Sequence, residues 1–313
     1  MFKKEWGYRN VVDKNYPMDY YRMRENIEAL KIRFPFLGHT SIGKSYIGKD
    51  LDVLTIGTGE KKVIYIGSHH GMEWITTLLL MKFTEELCKS ASYHEKSGGV
   101  DIDYLLEMRT IIIVPMLNPD GVELSLGGVG RNNPVASRLF AMNGGSDDFT
   151  RWQANARGVD LNHNYNANSA KLREIEIATG ITEPGPTRFG GDHPESEPET
   201  SALTSYIRKT DGIMSLTALH TQGEEIYWRY GDYDPPKARS LAAMLARETG
   251  YSLGDPLEQI ASYGGCKDWF IEEFNRPGFT IECGKGENPL PLADMGEIYM
   301  KIAPPLIQLA LLS

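Results

Sequence analysis

The run Val63-Ile64-Tyr65-Ile66-Gly67-Ser68-His69-His70-Gly71-Met72-Glu73-Trp74 decides how this chain is read. Its first four residues are continuous, apolar and rich in β-branched side chains, the pattern of a strand buried on both faces. An apolar helical run over residues 75–87 follows. An imidazole, His70, and a carboxylate, Glu73, thus stand three residues apart where a strand turns into a helix. At that spacing on a first helical turn both side chains point the same way. They supply two of the three protein ligands of a catalytic zinc site, whose fourth position is left to water. A four-residue His-x-x-Glu pattern alone arises often by chance, so the remainder of the chain has to decide.

Two further apolar strands end in the same kinds of residue. Ile213-Met-Ser-Leu-Thr-Ala-Leu219 runs into His220-Thr221-Gln222-Gly223, and Gly278-Phe-Thr-Ile-Glu282 ends in a carboxylate. Such strand ends lie on the rim where open α/β sheets bind ligands. Between them, Gly158-Val-Asp160-Leu-Asn162-His163-Asn164 supplies a polar loop. His70, Glu73 and His220 complete a three-ligand set. His69 and His163 compete, but His69 points to the opposite side of an extended backbone.

Around these strands the pattern is α/β. Met23, Ile27, Leu30 and Phe34 share a helical stripe within residues 16–37. Residues 42–56 read as a β-hairpin turning at Gly48-Lys49-Asp50, and residues 110–115 as a second buried strand. The Gly- and Asn-rich stretch 124–157 reads as a long loop shaping the site's rim, and 178–198 as another. Helices are expected over 196–209, 235–249, 265–275 and 294–312, the last started or kinked at Pro304-Pro305. No repeat or linker interrupts the chain. It is expected to be one domain over 1–313, with residues 1–40 a helical extension packed on it.

The motifs, taken in order, resemble the zinc carboxypeptidases of the carboxypeptidase A-like (funnelin) type. They are H-x-x-E-W at His70 to Trp74, N-P-D-G at Asn118 to Gly121 and G-V-D-L-N at Gly158 to Asn162. His220, G-G-x-x-D-W at Gly264 to Trp269 and T-I-E at Thr280 to Glu282 follow. The resemblance covers roughly residues 40 to 310. It implies a mixed parallel and antiparallel twisted central sheet flanked by helices, with one Zn2+ per chain. Asn162-His163-Asn164, the segment from His220 to Trp228 and Ser262 to Trp269 look like the bacterial γ-D-glutamyl–diamino-acid peptidases. That narrower likeness implies a muropeptide or peptide substrate. A conventional metallocarboxypeptidase, a small-acyl amidohydrolase and a non-catalytic muropeptide-binding protein are the alternatives.

The resemblance also implies roles. Asp160 would orient His70 through its outer ring nitrogen. Glu282 would act as general base and acid. Asn162 and His163 stand where the family has Asn-Arg, so a bidentate grip on a C-terminal carboxylate is lost. The family's oxyanion arginine falls at Gln153, with Arg151 and Arg157 as neighbours. Its mobile tyrosine falls near Ile260, and Tyr263 is close enough to contact substrate. Lys267, in the specificity-pocket position, is expected to hold a substrate carboxylate.

Composition bounds the rest. The chain has 313 residues, a net charge of −9 and a pI near 5.4, which disfavours nucleic acid and anionic membrane as partners. No apolar signal region or membrane-length run is visible. Cys88, Cys266 and Cys283 are scattered and odd in number, so buried reduced thiols and a cytoplasmic setting are expected.

Overall fold

The computed structural model describes residues 10–130, 134–254 and 263–313. Among them a central sheet of eight strands has the order β1-β2-β6-β3-β7-β10-β8-β9. Its strands are β1 (Gly38–Lys44), β2 (Asp50–Ile56), β3 (Lys61–Ile66), β6 (Arg109–Val114), β7 (Ile213–His220), β8 (Glu225–Tyr227), β9 (Ser252–Leu253) and β10 (Gly278–Glu282). The short strands β4 (Lys96–Ser97) and β5 (Val100–Asp101) pair separately. β6, β3, β7 and β10 run parallel, whereas β1 with β2, β2 with β6, and β8 with β10 are antiparallel. The sheet is therefore mixed, as the motif pattern implied.

Strand periodicity explains why both faces of this sheet are covered. Val63 and Tyr65 of β3, with Ile111 and Ile113 of β6, belong to one apolar cluster. Ile64, Ile66, Ile112 and Val114 belong to the other. Successive side chains point to opposite faces, so a continuous apolar strand needs helices on both sides. On one face lie α1 (Tyr20–Arg33), α2 (Ile75–Tyr93), α3 (Ile102–Met108), α8 (Ala238–Thr249) and α10 (Met295–Leu312). On the other lie α7 (Pro198–Lys209) and α9 (Cys266–Phe274). α2 is buried over most of its length, and its buried charges Lys82 and Glu85 pair with each other. No helix among the described residues is long and apolar enough to cross a membrane.

The connections place the site. From β3 the chain passes through α2 to β6 on one side of β3, then returns to β7 on the other. Ligands bind at such a reversal, beyond the carboxyl ends of the strands. His70 follows β3, His220 ends β7 and Glu282 ends β10.

Four features differ from expectation. Residues 124–157 are not a plain loop: α4 (Pro119–Gly127) reaches into them and α5 (Ala136–Met142) lies inside. Asn118 caps α4 by accepting the Gly121 amide, and Pro119 fills the first turn, where a missing N–H is harmless. α6 (Ser169–Ala178) is an additional helix, entered from Asn168 in a left-handed conformation. The hairpin begins earlier, at Gly38, and turns over residues 45–49. α10 runs unbroken through Pro304 and Pro305.

Candidate active site

His70 is the last extended residue before a single 3-10 turn, Gly71–Glu73, that leads into α2. The turn is fixed from outside: Gly71 N donates to Gln153 O (2.9 Å) and Met72 N to Trp152 O (2.9 Å). A side chain at Gly71 would collide with the backbone of Gly121 at 2.3 Å, so this close approach requires glycine. Asn118, the first residue of N-P-D-G, donates through Nδ2 to the carbonyls of His69, Gln153 and Ala154. One amide thus ties the metal-side turn to the loop facing it.

His70 Nδ1 lies 2.9 Å from Glu73 Oε1, and His220 Nδ1 lies 3.0 Å from Glu73 Oε2. The ligand atoms of His70, Glu73 and His220 all fall within 4.8 Å of one another. Among the described residues Glu73 Oε2 and His220 Nε2 are buried without a hydrogen bond. Burial alone would raise the Glu73 carboxyl, but His70 and His220 outweigh it and hold the group at about 2. Burial would lower His70, but Glu73 and Asp160 raise it well above the usual imidazole range. An ionised carboxylate and two imidazoles thus converge on one buried point. This donor set fits zinc, which takes His nitrogen and carboxylate oxygen in a four-coordinate site.

Around this trio, Asp160 Oδ1 accepts from His70 Nε2 at 3.1 Å. The same carboxylate accepts the Asn162 amide (3.1 Å) and the Arg188 amide (3.0 Å). Burial opposes ionisation, but His70 and then His163 hold Asp160 well below the carboxylate range. With Nε2–H pointing at Asp160, Nδ1 of His70 is left to face Glu73. His69 lies outside the trio. It is fully buried, stacks on His220 at 5.2 Å and 24°, and its Nε2 sits 3.0 Å from the Tyr165 hydroxyl.

Glu282 is aimed by sheet register. It pairs with His220 in the parallel ladder and with Glu225 in the antiparallel one. Burial and then the neighbouring Glu73 raise its carboxyl well above the usual range. Surroundings that favour the protonated form suit a carboxylate that takes up a proton.

The expected substrate residues are placed unevenly. Asn162 lies beside Asp160, and its Oδ1 accepts the Cys266 amide at the start of α9. His163 bonds the Arg188 carbonyl through Nδ1 (2.9 Å) and lines a cleft of about 210 Å³ with Arg173, Glu176 and His193. Arg151 is exposed on the rim, 3.6 Å from Glu287. Arg157 is held instead by Asp192, Glu197 and the Tyr46 ring. Gln153 sits against the metal-side turn, and its side-chain oxygen accepts from the Thr187 hydroxyl. Tyr263 packs at the edge of the core, and Ile260 lies outside the described residues.

Lys267 departs from expectation. It is buried, and its ammonium already donates to the Asp268 carboxylate and to Arg229 O (2.7 Å). The free pocket ammonium read from its position in the motif is absent. Burial raises the Asp268 carboxyl to about 6, against the lowering effect of Lys267. The sequence reading also missed Thr187-Arg188 and Glu225. The first touches Gln153, Asp160 and His163 through contacts over 25 or more residues. The second is defined only by strand register.

The chain belongs to the zinc carboxypeptidase family, peptidase M14, whose model matches residues 23–301. It is a zinc metallopeptidase. A Lysinibacillus sphaericus protein named gamma-D-glutamyl-L-diamino acid endopeptidase 1 is 37% identical over 283 residues, covering 90% of this chain and 69% of the relative. The Bacillus subtilis protein YqgT, described as uncharacterized, is 36% identical over 269 residues, 85% of this chain and 70% of the relative. Among solved structures, thrombin activatable fibrinolysis inhibitor superposes with a TM-score of 0.74 at 19% identity. That match covers 97% of this chain and 79% of the other, and it shows the fold.

Proposed function

We propose that this zinc peptidase hydrolyses the amide bond between γ-D-glutamate and a diamino acid, meso-diaminopimelate or its equivalent, in peptidoglycan stem peptides. The observation that carries the reading is the 37% identity to the Lysinibacillus sphaericus endopeptidase across 90% of the chain. The site supports it, because His163 replaces the arginine that would grip an ordinary C-terminal carboxylate. The whole chain acts as one catalytic unit on peptides released in cell-wall turnover.

In this reading His70, Glu73 and His220 hold the metal and Asp160 orients His70. Zinc bound there would polarise the scissile carbonyl and lower the pKa of water toward ~7. Glu282 takes a proton from the attacking water as its oxygen bonds to the carbonyl carbon. Glu282 then delivers that proton to the leaving nitrogen as the C–N bond breaks. Gln153 and Arg151 stand on the rim where the carbonyl oxygen gains charge, and Asn162, His163 and Tyr263 flank the substrate. Arg157, held by two carboxylates, is not assigned a role.

The test is incubation of the zinc-loaded protein with a muropeptide mixture and with hippuryl-type peptides, read by mass. Release of diaminopimelate-containing products, with hippuryl peptides left intact, is expected. Efficient trimming of hippuryl peptides with muropeptides untouched would assign a conventional carboxypeptidase instead.

A further inference from the structure

Two consecutive glutamates near the end of β10 are treated in opposite ways. Glu224 is neutralised twice, by Lys285 Nζ (2.8 Å) and Lys301 Nζ (2.6 Å). Glu225 has no cation within ion-pair distance among the described residues. Its Oε2 accepts from the Tyr227 hydroxyl at 2.8 Å. Glu225 stands directly opposite Glu282 in the antiparallel ladder, and directly opposed residues share a face of the sheet. A β-carbon built on Gly223 would lie 3.7 Å from that of Glu282 and 3.9 Å from that of Glu225. The glycine therefore leaves a gap open between the two carboxylate stems. Gly254 packs closely on Tyr227 and Glu225: an added β-carbon would meet the Tyr227 ring at 2.5 Å and Glu225 Oε1 at 3.0 Å.

Like charges opposed across strands destabilise a sheet. Among the described residues no cation bridges this pair. It lies in a row with direction: His220, Glu282 and Glu225 are register partners on β7, β10 and β8. The first of these faces the metal position and the scissile carbonyl, and the second works on the leaving nitrogen. The third lies one strand further, on the leaving side. A carboxylate there, with one oxygen held by a tyrosine hydroxyl and no cation paired to it among the described residues, is a receptor for an ammonium group.

We propose that Glu225 is a specificity-determining residue whose carboxylate receives the second amino group, as ammonium, of the diamino acid on the leaving side of the scissile bond. This rests on the γ-D-glutamyl–diamino-acid reading for the identity of that leaving residue. It explains preference for a diamino acid by a residue given no role from the sequence, in a place where Lys267 supplies no free charge.

The experiment compares wild type and Glu225→Gln on γ-D-glutamyl-meso-diaminopimelate, γ-D-glutamyl-L-lysine and γ-D-glutamyl-L-norleucine. Zinc content and thermal midpoint serve as folding controls. Lysine and norleucine share a stem and differ in the ammonium. A charge-assisted contact corresponds to roughly 10- to 100-fold in affinity. Glu225→Gln should lose about that much kcat/KM on the first two substrates, through KM, and change less than about threefold on the third. Glu225→Lys should turn the lysine-over-norleucine preference against lysine. Equal losses on all three, with a shifted pH profile, would mean that Glu225 acts only on Glu282 and would overturn the proposal, as would no loss on any. If wild type cleaves none of the γ-linked compounds, the wider functional reading fails. The same lysine–norleucine comparison on α-linked acyl dipeptides then decides the role of Glu225 separately.

Discussion

The metal end and the leaving-group end of this site are built on different principles. At the metal end every side chain is aimed twice. His70 is set by the 3-10 turn and by Asp160, Glu73 by that turn and by two imidazoles, and His220 by β7 and by stacking on His69. Its charges are buried and mutually opposed in sign. At the leaving-group end the charges do not converge. Lys267 and Asp268 are closed upon each other inside the fold, while Glu225, opposite Glu282, pairs with no cation among the described residues. Ligation demands fixed geometry before the metal arrives, so it is wired into secondary structure and its immediate partners. Recognition demands a charge left for the substrate to satisfy.

This contrast can be broken at either end. The largest effect is expected at the trio. His220→Ala should lose both stoichiometric zinc and activity, and chelation of the wild type should do the same reversibly. Metal analysis beside an activity assay checks this, and retention of one zinc per chain in His70→Ala/His220→Ala would place the metal elsewhere. Next, Glu282→Gln should keep zinc and lose about 10²- to 10⁴-fold in kcat, the range for a general base. Near wild-type turnover with zinc confirmed would remove Glu282 from the proton path.

Asp160→Asn should be milder. Loss of an orienting carboxylate typically costs 10–100-fold in metal affinity or activity, measurable by competition with a chromogenic chelator. An unchanged affinity would show that the turn alone orients His70. Lys267→Met tests the other end, and here the readout is stability. Removing one partner of a buried ion pair costs roughly 3–5 kcal/mol because the other is left uncompensated. The thermal midpoint should fall, and Lys267→Met/Asp268→Asn should recover part of the loss. A selective loss on diaminopimelate substrates with no fall in stability would return Lys267 to the recognition pocket and collapse the contrast between the two ends.

What was legible in the sequence was local. His70 and Glu73 are three residues apart after a buried strand, so one turn brings them together whatever the remainder of the chain does. His220 and Glu282 end apolar runs, and strand ends at a reversal of chain direction face one crevice. The α4 cap was written in Asn118-Pro119, but the glycines after it masked the helix, and α5 carries no cap that could reveal it. Pairings between distant segments were not legible. Lys267 looked free because nothing in its position shows that its ammonium curls back to Asp268 and Arg229. Glu225 looked ordinary because its meaning lies in register. A slip of one residue between β8 and β10 would turn it to the opposite face of the sheet. The sequence by itself pointed to the candidate ligand trio and determined the zinc chemistry, since these depend on residue type and short spacing. Only the tertiary structure decided which charges are neutralised and which remain for a substrate, because that depends on side-chain conformation, as at Lys267 and Asp268, and on partners such as Arg229, Lys285 and Lys301 brought in from distant segments.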